Sequence, residues 1–181
     1  MKYLSILVFI LFSQWAYGQD LVETIADFYE LPVNCVKIST IESVSQRAGH
    51  MDQQRLFSLF TTPGFYNALQ AQETRARNVA QELYDVCPKG DSNCKYYVGQ
   101  LYNSSRELAK SLLWIDMYEG GKYSAYRWRY EEKKWIRDDA QVRVQASRNY
   151  LNSLFCPEGE SFEKELLQIL YDFLGASESS Q

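Results

Sequence analysis

A helical apolar repeat occurs twice in the middle of the chain, and it limits the possible folds more than any other pattern. The first run begins at Thr62-Pro63, a good N-cap residue followed by proline at the first helical position, and it continues to about residue 86. The second run covers about 94–118 and stops at Gly120-Gly121. Because the connection is short, the sequence predicts two antiparallel helices that face each other through their apolar stripes.

The N-terminal residues have the pattern of a secretory signal peptide. Met1-Lys2 precedes an apolar run from Leu4 to Phe12, and the small residues Ala16 and Gly18 follow in A-x-G spacing. This pattern predicts a signal peptide over 1–18 and a secreted protein, in the bacterial periplasm or outside the cell. The apolar run is shorter than the ~20 residues that span a bilayer, so we expect no stable membrane anchor.

Four cysteines in an exported chain predict two disulfides. The turn-forming residues between Cys87 and Cys94 favour a bridge between these two, which leaves Cys35 and Cys156 as the second pair by elimination. Zinc is the rival interpretation. The chain lacks the C-x-x-C spacing and contains a single histidine, so the sequence predicts no metal site.

Weaker helical patterns flank the central pair. They cover about 21–28, 38–48 before Gly49, 56–60, 140–154 and 162–173. No internal repeat or linker divides the chain. The sequence therefore predicts an all-α fold, a single disulfide-stapled bundle of five or six helices over 19–175, with a disordered polar tail over 176–181.

The segment 123–137 is rich in aromatic and basic residues and fits two structures. A β-hairpin turning at residues 131–134 places alternate aromatics on one face, whereas a helix continues into the predicted helix at 140 and is slightly favoured. Aromatic and arginine side chains are typical of binding hot spots, but they also commonly complete a core. The candidate binding residues are Tyr126, Arg127, Trp128, Arg129, Tyr130 and Trp135.

The search for catalytic chemistry finds none of the common enzyme motifs. His50 has no nucleophile or orienting group at a recognisable spacing, and the adjacent acids at 131–132 and 138–139 point in different directions from a helix or a strand. The net charge of −4 gives no general reason to bind nucleic acid. We therefore expect no catalytic residues, no cofactor and no nucleic-acid partner, and the sequence disfavours an enzyme.

Two classes of function fit a chain without catalytic motifs or a nucleic-acid partner. The first is an exported protein-interaction module, of the inhibitor, immunity or adaptor type, that binds an unidentified protein through the aromatic and arginine surface. The alternative is a carrier that holds a small apolar or aromatic ligand in a cavity of the bundle.

Overall fold

The computed structural model describes residues 32–56, 63–121 and 126–156, together with Ala26. These residues form four helices and no strand: α1 (Val33–Leu56), α2 (Pro63–Asp85), α3 (Ser92–Glu119) and α4 (Arg127–Phe155). The predicted signal peptide, the helix at 162–173 and the tail lie outside the described residues. So does the predicted helix at 21–28 except for Ala26, which is helical and buried.

The four helices alternate in direction. Lys37, near the start of α1, forms an ion pair of 3.2 Å with Glu82, near the end of α2. Glu42 of α1 pairs with Arg148, near the end of α4. Helix α3 returns from the turn after α2, and it is therefore parallel to α1. The described chain is an all-helical bundle with α1 and α3 at the centre, because α2 packs mainly on α1 and α4 packs mainly on α3.

The antiparallel pair predicted from the central repeats is present, but its packing differs from the prediction. Helix α2 begins at Pro63, and α3 ends before Gly120 and Gly121, as the sequence indicates. The expectation that the two helices face each other through their stripes holds only in part, since each helix makes more of its contacts with α1 than with the other. The stripes share one cluster near the turn, where Val79 and Leu83 join Val98 and Leu101.

Gly49 does not end a helix, which corrects the prediction of separate pieces before and after it. Helix α1 continues through this position to Leu56. Glycine is needed here because α3 crosses so closely that a Cβ atom at residue 49 would overlap the backbone carbonyl of Arg106. The sequence pattern cannot distinguish a glycine that stops a helix from one that lets a second helix approach.

The β-hairpin at 123–137 is wrong for the described part of that segment. Residues 127–137 are helical and form the first part of α4, without interruption through the proposed turn at 131–134. This continuity is the one expected from the helix interpretation, and of the predicted helix at 56–60 only Leu56 lies within the described residues, where it ends α1. The described residues contain four helices rather than the five or six expected for the chain.

Both predicted disulfides are confirmed. Cys87 and Cys94 close the turn between α2 and α3, with 5.8 Å between their Cα atoms. Cys35 and Cys156 join the start of α1 to the end of α4, with 5.7 Å between Cα atoms. No cysteine in the described part of the chain is free.

The main apolar core lies at this disulfide-bonded end of the bundle. Its buried members come from all four helices and include fully enclosed isoleucine, leucine and valine side chains: Ile38, Ile41, Val79, Leu83, Val98, Leu101, Val144 and Leu151, with Cys87 and Cys94. Asp91 caps the start of α3 by accepting a hydrogen bond of 3.0 Å from the backbone N–H of Cys94.

Candidate functional site

Helix α4 buries one side and presents the opposite side to solvent. Its buried residues are Ala140, Val144, Ser147 and Leu151. At about 100° per residue, Trp128 and Trp135 lie within about 20° of each other on the opposite side of the helix. They are 67% and 69% exposed, so neither completes the core.

The residues around Trp128 are also exposed. Tyr126 is the N-cap residue of α4, and Arg127 and Arg129 follow it on the surface. The guanidinium carbon of Arg129 lies 5.7 Å from the centre of the Trp128 ring, a cation–π contact that holds both side chains at the start of the helix. Five of the six candidate residues are therefore exposed at the start of α4 or within its first three turns: Tyr126, Arg127, Trp128, Arg129 and Trp135.

Tyr130, the sixth candidate, packs against the bundle. Its ring stacks on Tyr118 of α3 with centroids 4.3 Å apart, and Tyr118 stacks in turn on the buried Trp114. The hydroxyl of Tyr130 donates a hydrogen bond of 2.7 Å to Glu119, which raises the pKa of the tyrosine. Tyr130 thus anchors the start of α4 to the end of α3 and fixes the position of its exposed neighbours.

One exposed apolar residue was missed by the sequence analysis. Val142 is 67% exposed and lies seven residues after Trp135, on the same side of α4. The seven-residue spacing of Trp128, Trp135 and Val142 was visible in the sequence. Only a continuous helix through residue 142 places the three residues on one side, and the hairpin alternative for 123–137 does not.

A cluster of partly buried charges connects the central helices. The carboxylate of Asp52 in α1 pairs with Arg55 at 2.8 Å, with Arg106 at 3.2 Å and with Lys110. Arg106 also pairs with Glu73 of α2. Burial by itself raises the pKa of Asp52, but the hydrogen bond from Lys110 and the three positive charges outweigh it and lower that pKa below its ordinary value.

This cluster is suited to holding helices together rather than to proton transfer, because the Asp52 carboxylate is occupied by three cations and stays ionised. His50 lies nearby in sequence but is exposed, and one of its ring nitrogens is 3.0 Å from the Gln54 amide nitrogen. No group of three or more His, Cys, Asp or Glu side chains that could hold a metal ion occurs among the described residues.

No described helix is long and apolar enough to span a bilayer. Comparisons of the chain with protein-family models, with curated proteins and with solved structures found no match.

Proposed function

We propose that this chain is an exported protein-interaction module, directed out of the cell by residues 1–18, that binds another protein through the surface at the start of α4. Inhibitor, immunity and adaptor proteins all work in this way. They need a rigid scaffold and a small set of aromatic and arginine side chains that are exposed before binding.

The observation that supports this proposal best is the exposure of two tryptophans on one side of α4. A solvated tryptophan leaves a large apolar surface in water, and two of them about 10 Å apart, at 1.5 Å of rise per residue, form a patch of the kind that partners cover. Arg127 and Arg129 add charged hydrogen-bond donors beside Trp128. Since Tyr130 fixes this part of the helix against α3, little ordering is required on binding.

The carrier remains the alternative proposal, and the packing of the central helices gives it less support. Small residues face each other between α1 and α3, where Ser45, Ser104 and Ser105 are buried and Gly49 lies against the Arg106 backbone. Such close helix packing leaves little room for a ligand between the two central helices.

Replacement of Trp128 and Arg129 by alanine tests the proposal. We expect the double variant Trp128→Ala/Arg129→Ala to lose binding to the natural partner, isolated from the producing cells or their surroundings and identified by mass. Helical content and thermal midpoint should barely change, because both side chains are exposed. Tyr96→Ala is the matched control, since Tyr96 is an exposed aromatic on α3 at the disulfide-bonded end of the bundle. Full binding by the double variant, or loss of its fold, would contradict the proposal.

A further inference from the structure

The exposed side of α4 carries a regular apolar row, which we call the tryptophan stripe: Trp128, Trp135 and Val142. Their seven-residue spacing keeps the three side chains within about 40° of one another over about 21 Å of helix. Each is about two-thirds exposed. A row with this period supplies one apolar contact position per heptad for a second helix packed alongside, and acidic residues occupy the other contact position.

Acidic residues border the stripe on both sides. Taking 100° per residue, Glu131 and Asp138 lie on one flank, and Glu132 and Asp139 lie on the other. The adjacent acids thus point in different directions, as expected from the sequence. Together they form two acidic rows, one on each side of the apolar residues.

Arg127 and Arg129 lie beside Trp128 at the start of the stripe, whereas the cations that pair with the acidic rows lie further from it, towards the bundle. Lys134 is 3.9 Å from Glu131, Arg137 is 2.7 Å from Asp138, and Arg143 is 2.6 Å from Asp139. The side chain of Asp138 is 62% exposed, compared with 28% for its partner Arg137. Exposed pairs of this kind contribute little free energy, so the carboxylates can exchange these partners for cations of another protein.

The same charges disfavour a second copy of this chain as the occupant. In an antiparallel pair centred on Trp135, each flank faces the same flank of the second copy, so Glu131 faces Asp138 and Glu132 faces Asp139. In a parallel pair opposite flanks meet, so Glu131 faces Glu132 and Asp138 faces Asp139. Either arrangement places like charges together along both flanks, which opposes association.

We propose that the tryptophan stripe binds a cationic amphipathic helix of another protein, with apolar residues at heptad spacing and lysine or arginine on both flanks. The apolar row of such a helix covers Trp128, Trp135 and Val142, while its basic residues reach the two acidic rows. This inference rests on the proposed function and adds the chemical class of the partner.

A synthetic peptide of about 21 residues tests it, with leucine at the a and d positions of each heptad and lysine at e and g. We expect the full-length chain, with both disulfides formed, to bind the fluorescently labelled peptide saturably at low salt. Binding should weaken as salt rises, because exposed charges are screened. The same peptide with glutamate in place of lysine is expected to bind at least about tenfold more weakly.

Two variants of the chain separate the apolar from the charged contribution. Trp128→Ser/Trp135→Ser should abolish peptide binding. Glu131→Gln/Glu132→Gln/Asp138→Asn/Asp139→Asn should weaken it about tenfold, from the combined loss of several weak ion pairs. Asp85→Asn/Asp116→Asn is the matched control, since it removes exposed acids from α2 and α3 and should leave binding unchanged.

The contrary results distinguish the chemical class of the partner from the proposed function. If the tryptophan variant loses binding but the four-acid variant does not, the partner is not cationic, and the proposed function still stands. Absence of peptide binding also refutes the inference, whereas the proposed function is decided separately by the Trp128→Ala/Arg129→Ala test on the natural partner. If the wild-type protein is a dimer and Trp135→Ser makes it a monomer, the stripe binds a second copy of this chain. If Trp128 and Trp135 are shielded from the quencher acrylamide in the monomer, another segment of the same chain covers the stripe. The dimer result and the quenching result would each overturn the inference.

Discussion

At Gly49, the close contact between α1 and α3 depends on the absence of a Cβ atom. Gly49→Ala places a methyl group against the Arg106 carbonyl and forces α1 and α3 apart. We expect the free energy of unfolding to fall by about 1–3 kcal/mol, the usual cost of overpacking, as measured by urea denaturation.

Gly99→Ala provides the control for this effect within the same bundle. Gly99 also lies inside a helix, but a Cβ atom there has no neighbour within 4 Å. Since alanine favours helix more than glycine does, this variant should gain about 0.5–1 kcal/mol. Equal effects of the two substitutions would contradict the assigned contact between Gly49 and α3.

Asp52 provides a prediction about pH at the same scale. Its pKa is lower in the folded protein than in the unfolded chain, so its ion pairs stabilise the fold above the ordinary carboxyl pKa of about 4. This stabilisation is lost as the pH falls through the lowered folded-state pKa. We expect Asp52→Asn to be less stable than the wild type by about 2 kcal/mol at pH 7.

The difference between Asp52→Asn and the wild type should shrink as the pH is lowered below about 4, because Asp52 is then protonated first in the unfolded chain and finally, below its lowered pKa, in the folded protein. Thermal or urea unfolding of both proteins between pH 7 and pH 2 measures it. A difference that stays constant over this range would show that the charge of Asp52 does not stabilise the bundle.

At the scale of elements, the uninterrupted course of α4 is open to a direct test. Lys133 lies in the interior of this helix, at the centre of the turn that the hairpin interpretation required. Lys133→Pro removes a helical hydrogen bond and creates a clash, so we expect a loss of about 3 kcal/mol in urea unfolding. Lys133→Ala should change stability little. A tolerated proline would support a turn at this position.

The elements with strong periodicity could be predicted from the sequence, and their partners could not. The start of α2 at Pro63 and the end of α3 before Gly120 follow from local backbone chemistry. The placement of α1 at the centre depends on contacts between residues distant in the chain, such as Gly49 with Arg106, and no local pattern encodes these.

The candidate site was predicted only in part for the same reason. Composition singled out the aromatic and basic residues of 126–135. Whether each one faced solvent depended on the choice between helix and strand, which local preferences did not decide. The helix exposes Trp128 and Trp135 and turns Tyr130 towards α3.

For the whole molecule, stabilising interactions are distributed unequally between the two ends of the bundle. One end has both disulfides and the apolar cluster, while the other is joined by the Asp52 ion pairs and the stacked aromatic rings. By chain entropy, the 121-residue separation of Cys35 and Cys156 should stabilise the fold by about 5 kcal/mol. The 7-residue separation of Cys87 and Cys94 should contribute about 2.4 kcal/mol.

We therefore expect Cys35→Ala/Cys156→Ala to lower the free energy of unfolding by about twice as much as Cys87→Ala/Cys94→Ala. Urea unfolding of the two double variants, each retaining the other disulfide, compares them under identical conditions. If Cys87→Ala/Cys94→Ala is the less stable of the two variants, the expectation is wrong.

The bridge between Cys35 and Cys156 also makes the chain between these residues a closed covalent ring. A protease that cuts one peptide bond between them releases no fragment, because the two pieces stay joined through the disulfide. Such a nick adds the mass of one water, and two pieces separate only when the disulfides are reduced. The four helices can therefore remain one molecule after a cleavage that would divide an unbridged chain.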